Sequence, residues 1–158
     1  MYCLIDLPMR YLSIFLLLIL CSFKAVTTDD TPKANQICGK WMSAKKDIIV
    51  EVYPYKNTFK ARIVWFSGGV SKEKPMESIT DIKNPDKNLR NRKVLGLPVV
   101  EDLVYDSKSN SWEGGKIYEV QSGKYWNAAA SLENNNVLKV KGYWHVKMLG
   151  KTLKFTRV

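Results

Sequence analysis

Apolar and polar positions alternate along most of the chain after residue 36, which is the pattern of strands with one buried face. The β-branched run Asp47–Tyr53 and the run Thr58–Phe66 are separated by turn residues at 54–57, and together they predict a hairpin. One face of the second run is expected to carry Phe59, Ala61, Ile63 and Trp65.

The C-terminal half repeats this pattern. Strands are predicted over Trp112–Val120, Tyr125–Leu132 and Val137–Trp144, with a last strand opened by Gly150. The pair Gly114-Gly115 predicts a bulge in the first of these. Consecutive short strands with tight turns predict an all-β fold, a small antiparallel up-and-down β-barrel. The expected inward sets are Trp126, Ala128, Ala130 and Leu132, then Leu138, Val140, Gly142 and Trp144, and finally Leu153 and Phe155.

One polar segment interrupts the alternation. Residues 81–92 lack a strand pattern, and Asn84-Pro85-Asp86 is a helix-start signal with Asn84 as the N-cap. A short helical segment is therefore expected near residues 84–92. The preceding stretch Ser67–Glu77 predicts an exposed, mobile loop.

The N-terminus has the layout of a signal peptide, predicted over residues 1–27. Arg10 precedes the largely apolar run Tyr11–Phe23, which as a helix would span about 20 Å, less than the hydrocarbon core of a bilayer. Met9 gives a better leader than Met1, so translation is expected to start there. Leu20 precedes Cys21 where lipoprotein processing needs a small residue, so no lipid anchor is expected. The sequence thus predicts export to the periplasm or beyond, with no transmembrane segment after processing.

A flexible lead-in is expected over residues 28–36, followed by a single barrel domain over 37–158. The 158-residue chain carries 25 basic and 15 acidic residues, a net charge of +10. Such a basic protein could contact an anionic envelope surface, and nucleic acid is not an expected partner of an exported protein. The lysines are scattered, however, and scattered lysines also fit an ordinary solvated face. Cleavage would leave Cys38 as the single cysteine, without a disulfide partner in the chain.

A set of short motifs, in order, resembles one known family. They are Gly39-x-Trp41, Ile63-Val64-Trp65, Asp81-x-x-Asn84-Pro85-Asp86, Leu89-Arg90-x-Arg92, Leu95-Gly96-Leu97, Trp112-x-Gly114-Gly115-x-Ile117-Tyr118, Ser122-Gly123-Lys124, Val140-x-Gly142-Tyr143 and Thr156-Arg157-Val158. The chain resembles the exported bacterial family known as domain of unknown function 2147 over about residues 37–158. It departs from that pattern at Glu119-Val120 and at Tyr125-Trp126. The resemblance implies fold and compartment and leaves the activity open.

A looser likeness is to lipocalin-type barrels, which begin with a Gly-x-Trp strand and place a basic residue over the tryptophan ring. It gives Gly39, Trp41 and Arg157 a structural role, with Arg157 stacked on Trp41. The alternative is that Arg157 extends into solvent at the terminus.

Catalytic and metal-binding patterns give no enzyme hypothesis. His145 is the single histidine, which excludes multi-histidine zinc sites, and Cys38 fits a small core residue. Asp81, Asn84 and Asp86 lack EF-hand spacing, and helix capping accounts for two of them. We therefore expect no catalytic residues, no metal and no cofactor.

Seven residues are candidates for a ligand site because rings and arginines could meet at a barrel mouth. Core packing is the leading interpretation of the aromatic residues, and Arg90 fits a pairing with Asp81 or Asp86 equally well. The candidates are Trp65, Asp81, Asn84, Arg90, Arg92, Tyr118 and Trp126.

Two functions fit these features. The first is a non-catalytic, exported binding module whose lipocalin-like barrel holds a small apolar or amphipathic ligand in the cell envelope. The alternative is a solid-core structural or interaction protein that contacts anionic lipid, polysaccharide or a partner protein through its basic surface. The presence or absence of a cavity separates them.

Overall fold

Stretches rich in β-branched and aromatic residues pair with their neighbours in chain order, and the last strand returns to pair with the first. The computed structural model describes residues 33–158, in which eight antiparallel strands close into a barrel. The prediction of a small antiparallel up-and-down β-barrel is confirmed. The strands are β1 Gly39–Ser43, β2 Ile48–Tyr55, β3 Thr58–Phe66, β4 Pro98–Asp106, β5 Ser111–Glu119, β6 Lys124–Asn134, β7 Val137–Tyr143 and β8 Lys151–Arg157.

One short 3₁₀ helix, Lys33–Ile37, precedes β1, and others lie in the connections, at Met76–Ser78, Lys87–Leu89 and Lys147–Leu149. Part of the segment expected as a flexible lead-in is thus helical, and Ile37 is buried in the core. The helical segment expected near 84–92 is the single turn Lys87–Leu89. The expected signal peptide, the start at Met9 and Cys21 lie outside the described residues.

The interior is made by residues that lie directly opposite one another on neighbouring strands. Trp41 of β1 faces Val50 of β2, which faces Ile63 of β3, and all three are buried. On the opposite wall Ala128 and Ala130 are buried beside Gly142 and Val140 of β7. Small residues opposite the rings give the rings room. Each large apolar side chain buried in this way contributes about 1.5–3 kcal/mol.

Bulges allow the sheet to close. The register between β5 and β6 shifts between Trp112 and Gly115, where the glycine pair predicted a bulge, and Gly114 has a φ of 72°. A Cβ on Gly115 would lie 2.7 Å from the Leu103 side chain and 2.8 Å from the Glu101 carbonyl oxygen. Glycine at 115 therefore lets β4 and β5 approach closely.

The two ends of the barrel differ. The closed end holds the helix Lys33–Ile37, the C-terminus and the short turns after β2, β4 and β6. The other end, here called the rim, holds the connections 44–47, 67–97, 120–123 and 144–150. The long connection 67–97 belongs to the rim, and the candidate ligand residues of its second half lie there.

Candidate functional site

A buried carboxylate in the long rim connection joins it to the wall of the barrel. Asp81 has no solvent exposure, and its Oδ1 accepts a 2.7 Å hydrogen bond from the Tyr118 hydroxyl on β5. Its Oδ2 accepts from Asn84 Nδ2 at 2.8 Å and from Arg92 Nε at 2.9 Å. The Asn84 amide also approaches the Tyr118 oxygen at 3.3 Å. The structure thus brings Asp81, Asn84, Arg92 and Tyr118 together, and we call them the tether.

Local backbone chemistry positions the tether. Thr80 and Lys93 form an isolated antiparallel bridge, and Asp81 N donates to Arg92 O at 3.0 Å, which places these two tether residues side by side. The Asn84 side-chain oxygen accepts from Asp86 N at 2.9 Å. Asn84 was expected to cap the helix, but Asp86 does so by accepting from Asn88 N. The expected assignment is wrong because the helical turn begins only at Lys87, so the Asn84 side-chain oxygen accepts from Asp86 N and not from an N–H of the helix.

The tether also fits the turn between β5 and β6. Gly123 has a φ of 69°, and a Cβ there would overlap the Lys83 carbonyl oxygen. Tyr125 lies across from Tyr118 in the β5–β6 register, with ring centroids 4.7 Å apart. The long connection therefore passes beyond β4 to contact β5 and its turn.

Burial shapes the electrostatics of the tether. Desolvation, and then the hydrogen bond to Asp81, raise the pKa of Tyr118 to about 12, so its hydroxyl stays a donor. Partial burial lowers the pKa of Arg92, but the hydrogen bond and charge of Asp81 outweigh this and raise it overall. Within the described chain no buried side-chain polar atom lacks a partner. The tether is saturated, which fits a structural attachment.

Arg90 and Trp126 lie elsewhere. Arg90 Nε donates to the Asn84 carbonyl oxygen at 2.8 Å, so Arg90 fastens the connection, while Asp81 pairs with Arg92. Trp126 is half-buried on β6, and its ring meets that of Trp144 edge to face at 5.8 Å. Neither residue lies with Trp65.

An open cleft lies at the start of the same connection. It has a volume of about 560 Å³ and lies between the end of β3 and the loop that follows. The cleft is lined by apolar and polar side chains, and both ends of the expected loop, Ser67 and Glu77, are among them. The lining residues are Trp65, Phe66, Ser67, Val70, Ser71, Lys72, Pro75, Met76 and Glu77.

A register shift places Trp65 in this cleft. The pairing of β2 with β3 shifts between Ile49 and Val50, so that Ile49 faces Trp65 and Val50 faces Ile63. Trp65 was expected to share the inward face of Ile63, but it is 37% exposed, and Phe66 is 7% exposed. The expected face is wrong at this position because the irregularity inverts the alternation.

The closed end holds the three residues with an expected structural role. The Arg157 guanidinium lies 4.1 Å from the centroid of the Trp41 ring, and it donates to the carbonyl oxygens of Cys38, Gln36 and Asn135. Gly39 has a φ of 126°, and a Cβ there would lie 2.7 Å from the Arg157 Nη1. Glycine at 39 therefore leaves the space in which the guanidinium lies.

Reactive groups are dispersed. His145 is exposed beside Trp144. Both residues lie beyond the end of β7, which was expected to reach Trp144 but ends at Tyr143. Burial raises the pKa of the Cys38 thiol, an effect that the charge of Arg157 opposes. The described residues contain no group of three side chains able to hold a metal ion. Within residues 33–158, no helix is long and apolar enough to cross a membrane.

Sequence reasoning missed most of the cleft. Phe66, Val70 and Met76 are separated by polar residues and follow neither helix nor strand periodicity. The available signal was two apolar residues, Val70 and Met76, inside a mostly polar loop that follows Phe66 at the end of β3, and this signal is weak by itself. Only the fold of the connection brings them to Trp65.

Comparison with known proteins gives a family and a fold. The model of the family described as "Uncharacterized protein conserved in bacteria (DUF2147)" matches residues 39–157. One similar solved structure is described as "Protein HP1028 from the human pathogen Helicobacter pylori belongs to the lipocalin family". It has a TM-score of 0.65 and 24% identity over 77% of this chain and 82% of that chain. No curated protein matches the sequence.

Proposed function

The chain belongs to the DUF2147 family of uncharacterised proteins conserved in bacteria, and on this premise we propose that it is an exported, non-catalytic binding protein. Its ligand is a small apolar or amphipathic molecule, held at the rim of a lipocalin-like barrel in the cell envelope. The observation that carries the proposal is the cleft of about 560 Å³ walled by Trp65, Phe66, Val70 and Met76.

The site is placed in the cleft because buried rings occupy much of the barrel interior. Trp41 and Trp112 are almost fully buried, and the indole nitrogens of both donate to carbonyl groups of the helix Lys33–Ile37. Phe59 packs edge to face on Trp112 at 6.5 Å. A ligand deep in the half of the barrel next to the closed end would have to displace these rings.

The chemistry of the cleft suits an amphipathic molecule. Pockets for small molecules commonly have volumes of about 300–1,000 Å³, with apolar walls and a few polar groups. Trp65, Val70, Pro75 and Met76 would contact an apolar body, and Lys72 offers an ammonium at the edge. The leader-like residues 1–27 support the envelope as the place of action.

The test is a fluorescence titration with 1-anilinonaphthalene-8-sulfonate, which becomes brighter in apolar sites. Val70→Asn combined with Met76→Gln removes apolar wall without adding charge, and we expect the probe's Kd to rise at least tenfold. Val104→Asn is the matched control, since Val104 is also an exposed valine but lies on β4, away from the cleft. Its Kd should stay within twofold of wild type.

An unchanged Kd in the cleft variant would contradict the proposal. Equal weakening by the Val104→Asn control would show general surface adsorption and would also contradict it. Native mass spectrometry of protein from its own envelope, compared with the cleft variant, would then show whether a retained molecule is lost with the cleft.

A further inference from the structure

The connection between β7 and β8 exposes an unusual amount of apolar surface. Trp144 is 62% exposed, Val146 52%, Met148 81% and Leu149 83%. All four lie in residues 144–150, which we call the apolar loop. Clustered apolar side chains in water mark a surface that meets another apolar phase.

Two contacts with the neighbouring strands hold the apolar loop in this exposed arrangement. The Asn127 side-chain amide donates to Trp144 O at 2.6 Å, and the Lys147 ammonium pairs with Glu113 on β5. Gly150 is needed where the strands converge, since a Cβ there would lie 2.6 Å from the Gly142 carbonyl oxygen.

A 3₁₀ turn holds the tip of the apolar loop. Leu149 N donates to Val146 O at 3.1 Å, and Gly150 N donates to Lys147 O at 3.2 Å. Met148 and Leu149 are therefore presented next to each other on a hydrogen-bonded turn.

All charged side chains of the surrounding hairpin are basic. Residues 137–158 contain five lysines and one arginine and no acidic side chain. Lys139 and Lys154 pair with Glu133, and Lys147 pairs with Glu113. Lys141 and Lys151, beside the loop, have no carboxylate within 4.0 Å among the residues that the structure describes.

We propose that the apolar loop is a membrane-docking element that enters the surface of an anionic bilayer. Trp144, Met148 and Leu149 would enter the headgroup and upper acyl region, where tryptophan in particular is favoured. Lys141 and Lys151 would contact anionic headgroups, and each such contact contributes about 1 kcal/mol.

Charge and shape select a bilayer over a protein partner. A stable protein interface buries about 800 Å² on each partner, in a broad complementary patch. Here the two most exposed apolar side chains, Met148 and Leu149, share one short turn, and Lys141 and Lys151 lie on the two strands that the loop connects. That order of apolar tip and cationic base matches the depth profile of an anionic membrane surface.

Docking does not depend on the cleft. The apolar loop and the connection that forms the cleft are separate segments, which follow β7 and β3 respectively. The cleft could be inactive and the loop could still bind.

The test is sedimentation with vesicles that contain phosphatidylglycerol, and with vesicles of phosphatidylcholine alone. The protein is produced by export, and mass spectrometry shows that all variants share one N-terminus, so any remaining leader contributes equally. We expect Met148→Gln with Leu149→Gln to lower partitioning onto the anionic vesicles at least tenfold. Tyr55→Gln with Val158→Gln, which also alters two exposed apolar residues but at the closed end of the barrel, is the control and should change it less than twofold.

Two further arms separate the charge from the insertion. Lys141→Gln with Lys151→Gln should reduce binding to anionic vesicles by more than tenfold, about fivefold for each lysine, and leave binding to phosphatidylcholine unchanged. Brominated lipids should quench tryptophan fluorescence in the wild type, and most of that quenching should be lost in Trp144→Phe.

The proposal is overturned if the loop variants partition like the wild type or if Trp144 is not quenched. It is also overturned if the wild type is dimeric and the loop variants become monomeric without a change in vesicle binding. That result would assign the loop to contact between copies. None of these outcomes bears on the cleft titration, so the two proposals fail separately.

Discussion

Two arginines fasten two different segments to the barrel, and they do so with different chemistry. Arg157 at the closed end lies on the Trp41 ring and donates to three backbone carbonyl groups. Arg92 at the rim lies over the Tyr118 ring at 5.3 Å, but its hydrogen-bond partner is the buried carboxylate of Asp81. One attachment uses neutral acceptors and the other uses a charge.

The difference has an energetic consequence. Backbone carbonyl groups need no compensating charge. The loss of Arg157 would therefore remove its ring contact and leave three carbonyl oxygens without this hydrogen-bond donor. Asp81 is a buried anion, and its burial is tolerated because tyrosine, asparagine and arginine all donate to it. The rim attachment is therefore cooperative, because several donors depend on one carboxylate.

The largest effect should come from removing that carboxylate. Asp81→Ala leaves the Arg92 charge without its partner and two buried donors unsatisfied, and we expect a loss of about 3–5 kcal/mol in the free energy of unfolding, measured in urea. Asp86→Ala is the control, since it removes only a helix cap and should cost about 0.5–2 kcal/mol. Equal losses in the two variants would show that the tether is not cooperative.

A smaller effect is expected at the closed end. Arg157→Ala should lower the free energy of unfolding by about 2 kcal/mol, through the lost ring contact and hydrogen bonds, and should lower the melting temperature. Arg62→Ala, which removes an exposed pair with Glu51, should cost about 0–1 kcal/mol. An unchanged melting temperature for Arg157→Ala would refute the stacked role of this arginine.

The smallest effect, and the sharpest distinction between the ends, concerns pH. Tyr118 keeps its proton up to a pKa of about 12 in the folded chain, whereas an unperturbed tyrosine titrates near 10. Its stabilising contribution is therefore complete below pH 10 and is lost as the pH rises to about 12. Tyr118→Phe should cost about 1 kcal/mol below pH 10, and its difference from wild type should shrink above it.

Urea unfolding of both proteins across this range measures the effect, and ultraviolet absorbance should show one late-titrating tyrosine in the wild type. The gap between wild type and Arg157→Ala should change less over this range, because the acceptors at the closed end are backbone carbonyl groups, which do not titrate. A Tyr118→Phe gap that is constant through pH 12 would contradict the raised pKa that burial and the hydrogen bond to Asp81 give Tyr118.

The barrel could be predicted from the sequence because two-residue alternation, turn residues and the glycine pair at 114–115 are local signals. Burial depends on that alternation, so Phe59, Ala61 and Ile63 were assigned to the interior correctly. The error at Trp65 followed from a register shift between β2 and β3. That shift depends on how the two strands pair, and the sequence of β3 contains no signal for it.

The candidate site was predicted only in part. Asp81, Asn84, Arg92 and Tyr118 were singled out for a ligand, and the structure joins them to one another. The sequence can suggest that polar residues meet, but it cannot show whether each one's hydrogen-bonding groups are all paired within the cluster. That depends on distances between a long connection and β5, over sequence separations of up to 37 residues.

The sequence by itself indicated the all-β, up-and-down architecture and the family, because these follow from local periodicity and from ordered motifs. Tertiary structure alone decided that the polar cluster is saturated, that a cleft opens beside Trp65, and that Trp144, Met148 and Leu149 remain in solvent. The physical reason is that exposure and hydrogen-bond satisfaction are properties of which segments meet, and those meetings are set by closure of the barrel and by the path of its rim connections.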